Sequence, residues 1–179
     1  MKTRLNILIS ALLLIMIIVS CKKETNPVYI PARPYANGAF ISNEGTFGLD
    51  NASVSYYDFS KDSVINSIFS IVNNHQLGRL LQSLYLHNTS AYMVLNISDS
   101  VIIANSNDFK QTGFITGLHL PRYMTSYNNK GYITQWGENG VVKVVDLANN
   151  TVSKTIEVGV GPEQTLVANG KLLVCNGGF

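Results

Sequence analysis

Two hydrophobic patterns divide the chain. Ile7 to Val19 is an almost unbroken apolar run behind two basic residues, Lys2 and Arg4. From Ala39 onward, short stretches of alternating apolar and polar residues are separated by Gly, Asn, Asp and Pro. Alternation with a period of two predicts half-buried β-strands, because successive side chains of a strand point to opposite faces. "GAFISNEG", "ASVSYYDFS", "DSVINSIFS", "SAYMVLN", "VIIAN", "KGYITQW", "VVKVVDL", "TVSKTIEV" and "GKLLVCN" all read this way. After residue 36 nothing sustains a 3.6-residue period with caps, and "HQLGRLLQSLYLH" (75–87) is the one segment where a short helical turn fits.

The strand pattern repeats. Tyr92, Tyr132 and Leu172 stand 40 residues apart, each opening a strand after a polar turn, and Val101 and Val141 keep the same spacing. Pro121 and Pro162 punctuate the units. A period near 40 with four short strands per unit predicts an all-β fold, a β-propeller of four-stranded antiparallel blades. The segment after each proline reads as the inner strand, and the segment after the Asn-Gly-type turn as the second. The units fall at about 37–77, 78–119, 120–160 and 161–179, the first without an inner strand and the last with two strands. Propellers close with roughly four to eight blades. Three and a half therefore read as a fragment of a longer, seven-bladed chain whose remainder would supply the missing inner strand, with self-association of such chains into a ring as the alternative.

The N-terminal run is too short to be a transmembrane helix with flanks and has the layout of a signal peptide. Ile18-Val19-Ser20-Cys21 fits a bacterial lipobox. Residues 1–20 are then a lipoprotein signal peptide, Cys21 the lipidated residue, and 21–36, with three prolines and no periodicity, a tether. Ordinary secretion with an incidental Cys21 is the alternative. Each buried CH₂ of an acyl chain contributes roughly 0.8 kcal/mol, so several chains anchor firmly. Cys175 is left single, which excludes a disulfide framework, and its apolar strand "KLLVCN" makes it a small core residue. The formal net charge is +2 with no basic stripe, so nucleic acid is not an expected partner.

Three stretches carry a family resemblance: "GAFISNEGTFG" (38–48), "GLHLPRYMTSYNNKGYIT" (117–134) and "VGVGPEQTLVANGKLLVCNGG" (158–178). Together with the lipobox they resemble the YVTN-type (YncE-like) β-propellers. In particular they look like the lipoprotein branch found beside TonB-dependent transporters in Bacteroidetes-type bacteria. The resemblance implies a propeller fold and an outer-membrane lipoprotein of the cell envelope. Members of that branch include surface proteins that capture cobalamin and hand it to a transporter, so a TonB-dependent transporter is an expected partner. A cobalamin-like or glycan molecule is the expected ligand, and no cofactor is expected. Lys22, Lys23, Glu24 and Thr25 stand where many surface-exported lipoproteins of these bacteria carry an acidic run, which leaves the surface and periplasmic sides both open.

In this strand order the fourth-to-first and second-to-third connections emerge on one face. Gln82, Arg122, Tyr123 and Glu163 start the inner strands there. Asn43, Glu44, Phe47, Asn96, Trp136, Glu138 and Asn176 end the second strands or follow them. Amides, acids, an arginine and aromatics around a channel mouth make a platform for a small molecule. The loop "NEGTFGLDNA" is longer than its counterparts, and long loops on rigid scaffolds often carry function. Asn43, Asn96 and Asn176 fall at one repeat position and equally fit strand-end caps. Trp136 fits a ligand contact or loop packing, and Arg122 with Glu163 fits an interblade ion pair or a ligand clamp. His75, His87 and His119 lack metal-ligand spacing, and no nucleophile-elbow, Walker or dinucleotide motif occurs. No catalytic or metal residue is therefore assigned, and a non-enzymatic binding role leads. A propeller lyase or hydrolase using His119, or a structural adaptor, are the alternatives. For the anchor, Cys21→Ser is expected to abolish lipidation and move the protein out of the membrane fraction, as read by fractionation and intact mass.

Overall fold

The computed structural model describes residues 33–178. The signal peptide, Cys21 and residues 22–32 of the tether lie outside the described residues. Four antiparallel meanders follow one another along the chain. The first is β1 (Gly38–Asn43), β2 (Ser53–Asp58) and β3 (Ser63–Ile65), followed by a short helix, α1 (Ile68–Asn73). The second is β4 (Leu81–His87), β5 (Ser90–Leu95), β6 (Ser100–Asn105) and β7 (Gln111–Ile115). The third is β8 (Pro121–Tyr127), β9 (Lys130–Gln135), β10 (Val141–Asp146) and β11 (Thr151–Glu157), and the last is β12 (Pro162–Ala168) with β13 (Lys171–Asn176). The inner strands β4, β8 and β12 stand side by side, so the sheets are arranged as propeller blades.

Local chemistry explains the meander. Asn128-Asn129 and Asn169-Gly170, which join β8 to β9 and β12 to β13, have positive φ at both positions. That is the two-residue hairpin turn whose twist matches the strands, and Asn and Gly tolerate it best. Pro121 and Pro162 are each the first residue of an inner strand, where a missing N–H costs the ladder nothing.

The core lies between the sheets. Between the first and second, Val54, Tyr56, Ile68, Phe69, Met93, Leu95 and Phe109 are buried together. Between the second and third, Val94, Val101, Ile103, Ile115, Met124, Ile133 and Val145 are buried. β5 serves both: Ala91, Met93 and Leu95 belong to one cluster, Tyr92 and Val94 to the other. Period-two geometry divides one strand between two cores.

Five expectations are corrected. "DSVINSIFS" is strand only at Ser63–Ile65; at Ser67 (φ 54°) the chain turns into α1, and Ile68 and Phe69 are both buried. Two adjacent residues cannot face one core from a strand but can from a helical turn. The helical turn thus sits before 75–87, and that segment ends in β4. Tyr35, read as tether, is part of the fold: its ring packs edge-on against Tyr56 at 5.1 Å and Phe109 at 6.0 Å. Cys175 is exposed, because the face of β12–β13 that carries it with Leu166 and Leu173 is covered by no described element.

The last correction concerns register. Pro162 pairs with Asn176, Pro121 with Gln135 and Leu81 with Leu95, so Asn176 is the counterpart of Gln135 and Leu95. Asn43, last in β1, belongs to that set, while Asn96 and Trp136 stand one residue further on. The period lengthens from 40 to 41 because the β9–β10 loop (136–140) has one residue more than the β5–β6 loop (96–99).

Phe69→Ala is expected to lower stability by about 3–5 kcal/mol, since Phe69 is 1% exposed and deletion leaves a cavity beside Phe109. Urea unfolding followed by circular dichroism measures the shift, with the β-rich spectrum of the folded state unchanged.

Candidate functional site

Each inner strand starts in the same unusual way. Leu80 (φ 57°), Leu120 (φ 52°) and Gly161 (φ 67°), the residues just before β4, β8 and β12, are in the left-handed region. Register then shifts between Leu81 and Ser83, Pro121 and Met124, and Pro162 and Thr165. Such bulges bend a strand and re-aim its side chains. The residues at these bulges include Gln82, Arg122, Tyr123 and Glu163.

The bulges bring these residues into one row across three blades. The Arg122 guanidinium donates through Nη2 to Glu163 Oε1 at 2.9 Å and through Nε to Oε2 at 3.1 Å. Its Nη1 donates to Gln82 Oε1, and Gln82 Nε2 reaches the Tyr123 hydroxyl at 3.4 Å. The guanidinium carbon lies 3.8 Å from the centroid of the Trp136 ring. The fork-on-carboxylate geometry and the stacked ring are what a planar guanidinium offers and an ammonium does not. The Arg122 and Glu163 side chains are 14% and 24% exposed, so the pair is desolvated enough to matter and still reachable from solvent. Trp136 is 36% exposed. The interblade ion pair is therefore formed, and it holds Arg122 flat beneath Trp136.

Other candidates lie elsewhere or serve the fold. Asn96 is buried and donates through Nδ2 to the Pro121 carbonyl at 3.0 Å, while Asn176 Nδ2 donates to the Val158 carbonyl at 2.6 Å. Asn43 Nδ2 donates to Ser55 Oγ at 2.9 Å. These three side chains tie strand ends in place, as capping amides do. Glu138 faces Lys143, whose Nζ is 2.8 Å from Oε2 and also reaches Thr155 at 3.1 Å, so this carboxylate neutralises a buried cation. Glu44 and Phe47 share the face through topology. The Glu44 carbonyl accepts the Leu81 N–H at 3.0 Å, and Phe47 is 77% exposed. The loop that presents Phe47 is fastened by Asn51, whose Oδ1 accepts the Thr46 N–H at 2.8 Å. His119 lies 3.4 Å from Asp99 Oδ2, and Asp99 Oδ1 accepts the Leu120 N–H at 2.7 Å.

Sequence reasoning missed a polar seam between β4 and β8. Ser83 Oγ donates to the Arg122 carbonyl at 2.8 Å, and Ser126 Oγ lies 3.0 Å from the Tyr85 hydroxyl and 2.9 Å from His87 Nδ1. The alternation Ser83, Tyr85, His87 was the available signal for it. Among the described residues no cluster of three or more His, Cys, Asp or Glu side chains could hold a metal.

The profile of a family described as "Domain of unknown function (DUF5074)" matches residues 37–178. No curated protein matches the chain. Among solved structures, the chain is similar to Kuenenia stuttgartiensis hydrazine synthase at 16% identity and a TM-score of 0.61, covering 87% of this chain and 45% of that one. It is also similar to a chain from the crystal structure of a nidogen/laminin complex, at 19% identity and a TM-score of 0.54, over 70% of this chain and 44% of that one. The chain thus spans less than half the length of these structures. At such identities the likeness is one of fold, and that fold is propeller-like.

A double-mutant cycle on Arg122→Ala and Glu163→Ala is expected to return a coupling of about 1–3 kcal/mol in urea unfolding, within the range for residues sharing one network. A coupling near zero would mean that solvent screens the pair as it does an exposed one.

Proposed function

Taking as premise that the chain belongs to the DUF5074 family, we propose that it is a non-enzymatic binding protein of the cell envelope, lipid-anchored at Cys21. Its ligand site is the rim where Gln82, Arg122, Glu163 and Trp136 converge. One observation carries the reading: three separate blades deliver these side chains to one place, and Arg122 is held by partners on both sides. A site whose groups are already ordered loses little entropy on binding. The Trp136 ring gives an apolar contact surface, and Glu163 with Gln82 supplies hydrogen-bond acceptors around it. The lipobox supports the anchor, and the family resemblance supports an outer-membrane role that hands a cobalamin-like or glycan ligand to a TonB-dependent transporter. One similar solved structure is of a complex, nidogen with laminin, which accords with a binding role.

A lyase or hydrolase is the second reading, favoured by the contact between His119 and Asp99 on the same face. It assigns His119 as base and the rim as substrate site.

The test is calorimetric titration of the full chain, then of Arg122→Ala and Trp136→Ala, against cobalamin and against glycan oligomers. Loss of about 2 kcal/mol, roughly 30-fold in Kd, is expected in either variant if these are hot spots. Unchanged affinity in both variants, with folding intact by circular dichroism, moves the site away from this rim. Turnover of a bound ligand that His119→Ala abolishes would favour the second reading instead.

A further inference from the structure

The chain joins the domain at the end of the strands opposite the rim. The Tyr35 N–H donates to the Asn107 carbonyl at 3.3 Å, and the Asn37 carbonyl accepts the Phe59 N–H at 3.1 Å. Asn37 Nδ2 also donates to Ser60 Oγ at 2.7 Å. Asn107 lies in the β6–β7 turn, and Phe59 and Ser60 lie in the β2–β3 turn. Both turns emerge on the face away from Arg122 and Trp136. With the Tyr35 ring packed on Tyr56 and Phe109, the point at which the N-terminal segment leaves the domain is fixed. Strands of six or seven residues separate that point from the rim by about 20 Å.

Charge is divided along the same axis. Arg33, Lys61, Lys110, Lys130 and Lys171 are exposed at the far end, against Asp58, Asp62, Asp108 and Asp146. The rim carries Glu44, Asp50, Asp99, Glu157 and Glu163 against Arg79 and Arg122, with Glu138 paired to Lys143. An anionic lipid surface attracts basic residues by about 1 kcal/mol each when they lie close to it, and repels an acidic face.

We infer that the far face is turned toward the membrane and that the rim faces the aqueous side, where ligand or partner reaches it without passing between domain and lipid. This rests on the lipidation of Cys21 proposed above. From Cys21 to Arg33 the chain can span at most about 40 Å, so the domain is held within a few domain heights of the lipid. The point of departure and the charge division then act in the same direction. A transporter in the same membrane would have to rise around the domain, or present a loop above it, to meet the rim.

Energy transfer in vesicles tests this. Leu49→Cys in the rim loop and Ala148→Cys in the far β10–β11 turn are each placed in a Cys175→Ser background and labelled with a donor dye. The full lipidated chain is reconstituted in phosphatidylethanolamine–phosphatidylglycerol vesicles that carry a headgroup acceptor. Severalfold faster transfer from position 148 than from position 49 is expected. Equal or reversed transfer in protein that floats with the vesicles overturns the orientation and leaves the anchor intact. Failure of the unlabelled wild-type chain to float overturns the anchor, and the orientation with it.

Discussion

The rim depends on one backbone turn made three times. Leu80, Leu120 and Gly161 enter the left-handed region just before β4, β8 and β12. For leucine this conformation is uphill by roughly 1–2 kcal/mol. The same hydrogen bond offsets it each time: the carbonyl of the turned residue accepts the N–H of the residue after the second strand. Those donors are Asn96 (2.9 Å), Trp136 (3.1 Å) and Gly177 (2.6 Å). This latch closes each inner hairpin at its open end and lets the bulge that follows re-aim Gln82, Arg122 and Glu163. In the third blade the latched residue is Trp136 itself, so the backbone bond that closes the hairpin also sets the ring over Arg122.

Packing then decides which of these residues are available. Asn96 and Asn176 sit at the same mouth as Arg122, yet their amides are committed to main-chain carbonyls and hold strand ends. Glu138 is committed to Lys143, whose buried ammonium it pairs with at 2.8 Å. What is left facing solvent is the Arg122–Glu163 pair with Trp136, and the fastened loop that displays Phe47.

The strands were legible in the sequence because alternation is a property of the strand itself, and the prolines marked the inner strands because few other sheet positions tolerate them. Arg122 and Glu163 could be placed in neighbouring blades by spacing alone. The stacking of Arg122 on Trp136 could not, since it requires a bulge in one strand and a latch on the next, and neither leaves a local signature. The extra residue in the β9–β10 loop was hidden for a similar reason: Tyr92 and Tyr132 precede it and keep the 40-residue spacing, so the shift shows only in β10 and beyond. α1 escaped because a six-residue helix is too short to display a 3.6-residue period; the adjacent pair Ile68 and Phe69, both buried, breaks the alternation and was the available signal.

β5 carries a consequence for how this domain can drift in sequence. Met93 answers to the first sheet and α1, whereas its neighbour Val94 answers to β6, β8 and β9. A change of volume at one is relieved in a different part of the chain from a change at the other. Compensating substitutions along β5 would therefore sort by odd and even position, as two separate histories written into alternate letters of a single strand.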